Sequence, residues 1–246
     1  MIKNFALWIS LLLASVITTS CSDSSQSEHE IIAATSADNP PYEFIQDGKV
    51  TGLDIDVIEA IGKALDKKIV IKNLDFPGLF PALSSSNVEL AIAAISITPE
   101  RQEHFDFSDI YATSSMGVLY KDDVIKSATD LSGKIIGVQL GTTWEGAAKE
   151  IAGKMPGTIV RSLSNNLVLV EELKSGAVDA VILETAQLEK FIANNPELKS
   201  MPLPEYTSEF AIVAPKNSEL IKSVNSTIDT LRKDGTLDKI KKRWLQ

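Results

Sequence analysis

The chain has 246 residues, 44% of them hydrophobic and 23% charged, with a formal net charge of −9. That length and composition suit one large globular body or two small ones. The acidic balance argues against nucleic acid as a partner, since phosphate binding needs a basic face. The local basic run Lys239, Lys241, Lys242 and Arg243 shares an amphipathic helical pattern with Ile240 and Trp244, and reads as a solvated face.

Residues 1–20 read as a signal peptide outside the fold. Lys3 supplies a short positive region, and Phe5 to Ile17 is an apolar stretch too short to span a membrane comfortably. Thr18, Thr19 and Ser20 then lead to Cys21, the single cysteine of the chain, which has no internal disulfide partner. The pattern resembles a bacterial lipoprotein signal, whose cysteine becomes the acylated first residue; Thr18 stands where such signals usually carry leucine. Ordinary cleavage with an incidental cysteine is the alternative, and either predicts export to the periplasm. Residues 21–30 (CSDSSQSEHE) are polar and serine-rich and read as a flexible tether. No later segment approaches membrane-spanning length, so a soluble body is expected from Ile31 onward.

Within that body, short apolar runs alternate with helical patterns. Ile31–Thr35 is the first run, followed by a helix over Leu53–Leu65 with Ile55, Ile58, Ile61 and Leu65 on one face. Ile69–Ile71, a short Leu79–Leu83 helix and the apolar run Leu90–Ile95 come next. Ile135–Leu140 precedes a helix from about Trp144 to Ala152, and Val178–Leu183 precedes another over Thr185–Asn194, stopped by Asn195-Pro196. Strands apolar throughout and alternating with helices predict parallel sheets covered on both faces, an α/β fold. Phe210–Ala214 reads as a strand, and Leu220, Val224, Ile228 and Leu231 form a helical stripe ended by Gly235. A return of this last helix to the first block is compatible with two lobes joined by two strands, Met116–Tyr120 and Phe210–Ala214.

The stretch Asn87–Ser108 (NVELAIAAISITPERQEHFDFS) carries the chemistry most plainly. After the apolar run, Ser96, Thr98 and Pro99 turn the chain into a short helix bearing Arg101. Unpaired backbone N–H groups at a strand end, with an arginine beside them, can grip a carboxylate through bidentate, charge-assisted bonds. Surface pairing of Arg101 with Glu100 or Glu103 is the bland alternative. Gly141-Thr142-Thr143 opens a helix in which Thr142 and Glu145 have capping-box spacing. Glu184 ends a wholly apolar strand, where a carboxylate needs a cation or water, or else serves the helix dipole.

Several motifs occur together and in order: PPYEF (Pro40–Phe44), GLDIDV (Gly52–Val57), FPAL (Phe80–Leu83), SITPER (Ser96–Arg101), FDFSDIY (Phe105–Tyr111), LSGKIIGVQLGTT (Leu131–Thr143), LKSGAVDAVILE (Leu173–Glu184) and LRKDGTLDKIKKRW (Leu231–Trp244). Over Ile31–Trp244 the chain resembles the periplasmic binding proteins of ABC importers for polar amino acids. The resemblance implies a two-lobed fold, each lobe a mainly parallel sheet flanked by helices, joined by two hinge strands. Residues 31–115 and 210–246 would form lobe 1 and residues 116–209 lobe 2.

By position, the resemblance implies that Arg101 clamps a ligand α-carboxylate. Ser96 and the backbone near Ala94 would add hydrogen bonds from lobe 1, and Thr143 would contact the carboxylate from lobe 2. Glu184 would receive the α-ammonium group, and Phe76 would wall the side-chain pocket. Departures fall in that pocket: Asn39 replaces a usual aromatic residue, and Ser36 stands where receptors for basic amino acids often carry an acid. Asp38 lies nearby, available either to a cationic ligand or to the turn before Asn39-Pro40. Ala93 and Ala94 replace hydroxyl residues. The implied ligand is a polar or basic L-amino acid, delivered to an ABC permease in the inner membrane, with no cofactor, metal or catalytic step. The alternatives are a dehydratase of a small carboxylic acid on the same fold, with Glu184 as general acid, and a sensor-type receptor. His29 falls in the tether and His104 in an acidic helix, so no histidine dyad or metal cluster is expected.

Overall fold

The computed structural model describes residues 29–121 and 125–246. The predicted signal peptide, Cys21 and all but the end of the predicted tether lie outside the described residues. Ordered structure begins slightly before Ile31, because Glu30 already pairs in the first strand and its carboxylate meets Lys68 at 2.6 Å.

Strand β1 (Glu30–Thr35) leads into a small meander of β2 (Asp38–Asn39), β3 (Glu43–Gln46) and β4 (Lys49–Thr51). Helix α1 (Leu53–Ala64), β5 (Lys68–Asn73), α2 (Leu79–Ser84), β6 (Leu90–Ala91), α3 (Pro99–His104) and β7 (Phe105–Phe107) follow. Next come β8 (Ala112–Tyr120), β9 (Ile135–Gln139), α4 (Thr143–Lys154), β10 (Ile159–Leu163) and α5 (Asn166–Ser175). The chain ends with β11 (Ala180–Glu184), α6 (Thr185–Asn194), β12 (Lys199–Phe210), β13 (Val213–Pro215), α7 (Leu220–Lys233) and α8 (Thr236–Leu245).

Two five-stranded sheets result, ordered β5-β1-β6-β13-β7 and β10-β9-β11-β8-β12. In the first, β1 runs parallel to β5 and β6, while β13 is antiparallel to β6 and β7. In the second, β9 runs parallel to β10 and β11, while β8 is antiparallel to β11 and β12. The parallel half of each sheet is the part whose strands alternate with helices. In the second sheet the antiparallel half belongs to the strands that pass between the sheets. Those are β8 and β12, which pair from Ala112↔Phe210 to Lys199↔Tyr120 with a bulge between Leu203 and Thr207. A bridge between Ser96 and Phe210 ties this ribbon to the first sheet.

The apolar side chains divide the same way. One core runs from Met116 to Leu203, and the other groups draw on Ile31–Ala112 and Phe210–Leu237. The predicted return of the C-terminal helices holds: Ile221, Val224, Ile228, Leu231 and Leu237 pack with Val57, Ile58 and Ile61 of α1. The Trp244 indole and Arg243 both reach Asp56 of α1, at 2.7 and 3.1 Å.

Three expectations need correction. The run Leu90–Ile95 is buried as predicted, but only Leu90–Ala91 is strand; Ala94 has a left-handed φ of 45°, which takes the chain out of the ladder. The predicted strand Phe210–Ala214 is split, with β12 ending at Phe210 in the second sheet and β13 starting at Val213 in the first. The crossing points are therefore the start of β8 and the end of β12, while Met116–Tyr120 lies inside the second sheet.

Gly52, just before α1, has φ 132°, and an added Cβ would stand 2.1 Å from the Tyr42 carbonyl oxygen. The Gly52→Ala variant is expected to lose roughly 3 kcal/mol or more of unfolding free energy, by urea denaturation. Gly146 of α4 has nothing within 4 Å of such a Cβ. There the same change is expected to gain about 0.5–1 kcal/mol from helix propensity.

Candidate functional site

The site is built where the two sheets face each other. The Thr98 side chain caps α3 by accepting the Arg101 backbone N–H at 3.2 Å, with Pro99 preset for the first helical turn. This directs the Arg101 side chain across the interface. Its Nη1 donates to the Ser96 carbonyl at 2.7 Å, and its Nη2 donates to the Gly141 carbonyl on the opposite side at 2.9 Å. The guanidinium carbon lies 5.0 Å from the Phe80 ring centre and 5.8 Å from that of Phe76. The surface pairing with Glu100 or Glu103 is not what forms; among the described residues no carboxylate comes within ion-pair distance of Arg101. Burial draws its pKa down to about 10, so it remains charged at neutral pH.

Beside this cation lies a narrow cavity of about 10 Å³. Asn39, Phe76, Ala94, Ser96 and Arg101 bound it from one side, and Gln139, Thr143 and Trp144 from the other. Ser96 Oγ and Thr143 Oγ1 are 3.3 Å apart across the gap. The turn Gly141-Thr142-Thr143 caps α4 almost as predicted: the Thr142 hydroxyl accepts the Glu145 N–H at 3.3 Å. The Glu145 carboxylate, however, accepts from the Gly141 N–H at 2.9 Å, one residue before the reciprocal bond of a capping box.

Three predicted site residues do not line the cavity. The carboxylate of Glu184 is fully buried and accepts from the Trp144 indole at 2.7 Å and from Ser208 Oγ at 2.6 Å, and of these three only Trp144 lines the cavity. Its Oε2 has no partner among the described residues. Ser36 donates to Asp38 Oδ1 at 3.2 Å. Asp38 in turn spans the interface, its Oδ2 accepting from Gln139 Nε2 at 3.0 Å and from the Asn166 backbone N–H at the start of α5 at 2.7 Å. That commits Asp38 to an inter-sheet contact, not to the turn before Pro40.

Gln139, Trp144 and Asp54 complete the site without having been singled out in the sequence. Gln139 is legible as a polar residue closing an apolar strand. Asp54 looks like an ordinary first-turn acid of α1, yet it is fully buried and accepts the Ala94 N–H at 2.6 Å, which holds Ala94 in its left-handed conformation. The Glu43 carboxyl and the Tyr111 hydroxyl adjoin Asp54.

Comparison with known proteins fits this geometry. The bacterial extracellular solute-binding proteins, family 3, match residues 31–246. The chain belongs to this family. Among its relatives is an arginine-binding extracellular protein, ArtP, of Bacillus subtilis (strain 168), 35% identical over 250 residues covering 96% of this chain and 97% of that protein. An ancestral arginine-binding protein bound to arginine superposes with a TM-score of 0.84 at 38% identity, over 88% of this chain and 98% of that one. An ancestral amino-acid-binding protein described as a precursor of cyclohexadienyl dehydratase gives a TM-score of 0.79 at 32% identity, over 89% and 96% of the two chains.

In this solute-binding protein the carboxyl groups beneath the cleft are all harder to ionise than usual. Burial raises Asp38 to about 6 and Asp54 to about 7, and raises Glu43 and Glu184 as well. A carboxyl whose folded pKa lies above its unfolded value stabilises the fold below the unfolded value, and loses that contribution as pH climbs through the folded one. For Asp38 and Asp54 the window runs from 3.8 up to about 7. The ligand-free protein should therefore show a higher Tm at pH 5 than at pH 8, and Asp54→Asn should flatten the difference. Differential scanning calorimetry would read both; a midpoint rising from pH 5 to pH 8 would contradict the account.

Proposed function

We propose that the cleft captures one free polar or basic L-α-amino acid, and that the closed protein delivers it to an ABC permease in the inner membrane. The supporting observation is Arg101: a buried, charged guanidinium with two backbone carbonyls and two aromatic faces around it but no carboxylate counter-ion among the described residues. A ligand α-carboxylate supplies that counter-ion. In this reading Ser96, Thr143 and the backbone at Ala94 add hydrogen bonds to the carboxylate, and Phe76 walls the side-chain pocket. The unpartnered Oε2 of Glu184 receives the α-ammonium group once Trp144 yields to the ligand. Residues 31–115 and 210–246 act as one lobe and 116–209 as the other, with Arg101 and Glu184 on opposite lobes, so a zwitterion favours closure. The arginine-binding names among the relatives support basic amino acids as the first ligands to test.

Binding involves no chemical step in this proposal, and the amino acid should be recovered unchanged after prolonged incubation. Cys21 is proposed to carry the lipid anchor that keeps the exported protein at the membrane. Mass spectrometry of membrane fractions should find the mature chain starting at an acylated Cys21; a soluble product starting elsewhere would reject the anchor.

Calorimetric titration tests the Arg101 role. Arg101→Ala should weaken amino-acid binding by roughly 3 kcal/mol or more, because truncating one partner of a buried charge pair leaves the other unpaired. Tight binding retained by that variant would overturn the assignment. Glu184→Gln should weaken amino acids while sparing deaminated analogues, and an equal loss for both would remove Glu184 from the ammonium site.

A further inference from the structure

Two side-chain amides line the cavity from opposite sides, Asn39 at the end of β2 in the small meander and Gln139 at the end of β9. Both have their nitrogen turned away and committed. Asn39 Nδ2 donates to Glu43 Oε1 at 3.1 Å, and its carbonyl Oδ1 is left buried with no partner among the described residues. Gln139 Nε2 donates to Asp38 Oδ2 at 3.0 Å and to the Ser164 carbonyl at 3.1 Å, which uses both of its N–H groups. The amide atom left over at each residue is the carbonyl oxygen.

Chemistry fixes the Gln139 orientation. A flipped Gln139 would put its oxygen against the Asp38 carboxylate and the Ser164 carbonyl, two acceptors with nothing to donate. At Asn39 the opposing group is Glu43 Oε1, which accepts the Asn39 amide hydrogen. Buried polar atoms left unpaired are costly, so a ligand group that satisfies them is favoured and one that repels them is rejected.

We infer that Asn39 and Gln139 form a pair of carbonyl acceptors that selects a ligand side chain ending in N–H donors with no acceptor, a guanidinium or ammonium group. The inference rests on the amino-acid reading of the cleft and adds the specificity of its far end. Arg101 holds the anionic head, and the two carbonyls, each backed by a carboxyl group, hold the cationic tail. Glu43 and Asp38 act as positioning residues, since each keeps an amide nitrogen facing away from the ligand. Acidic side chains are excluded because they bring only acceptors.

Citrulline is the discriminating probe, because it keeps the shape of arginine but replaces one nitrogen with a carbonyl oxygen. On the full chain, calorimetric titration should show L-arginine binding at least about tenfold more tightly than L-citrulline or L-glutamine, with L-glutamate not binding. In Asn39→Leu, arginine should weaken by about tenfold and the arginine-to-citrulline ratio should collapse toward one. A merely structural role for Asn39 would weaken both ligands and leave the ratio intact. Citrulline or glutamine within about threefold of arginine in the unmodified protein would overturn the inference, even if the variant fails to fold. Failure of the underlying reading looks different: no L-amino acid of any class would bind.

Discussion

The constraint around which the site is arranged is the burial of one guanidinium at a boundary between two sheets. A cation taken out of water costs several kcal/mol unless its donors are met and its charge is compensated. Arg101 meets its donors partly with its own strand end, Ser96, and partly with the opposite sheet, Gly141. The flat faces of Phe80 and Phe76 cover it. Because one of the two carbonyls belongs to the other sheet, the environment of Arg101 is complete only while the sheets face each other. Among the described residues no carboxylate balances the charge, and that imbalance is what the proposed binding role draws on.

Several other contacts across the boundary are polar too. Asp38 accepts from Gln139 and from the first N–H of α5, where the helix dipole favours an anion. Ser96 faces Thr143. Hydrogen bonds of this kind exchange with water at small net free energy, typically about 1 kcal/mol each. The apolar cores, by contrast, lie mostly on separate sides, with Ala186 of α6 packing against the first. Under the proposed lobe assignment, two bodies that each bury most of their own core can part and close without unfolding.

How much of this was legible in the sequence follows from what each signal depends on. The helices α1, α4, α6 and α7 were clear because apolar spacing alone defines them. The strands β10 and β12 carried no comparable run. β12 contains Pro202 and Pro204 and is tolerated as a strand because it lies at the edge of its sheet, where a missing N–H is harmless. Arg101, Ser96, Asn39, Phe76, Ala94 and Thr143 could be nominated from motifs, and they do line one cavity. The long-range bonds could not. Nothing local to Asp54 says that it reaches Ala94, forty residues on, and nothing local to Asp38 says that it crosses to Asn166. Glu184 was legible as a buried carboxylate, but its indole partner Trp144 comes from another helix.

The two ends of the cavity are asymmetric in a way that bears on affinity. At the Arg101 end a full charge is present and waiting. At the opposite end and beneath the cleft, burial disfavours ionisation of Glu184, Glu43 and Asp54. When a cationic group arrives next to such a carboxyl, its ionisation becomes favourable, and the free energy of that ionisation is subtracted from the gross attraction.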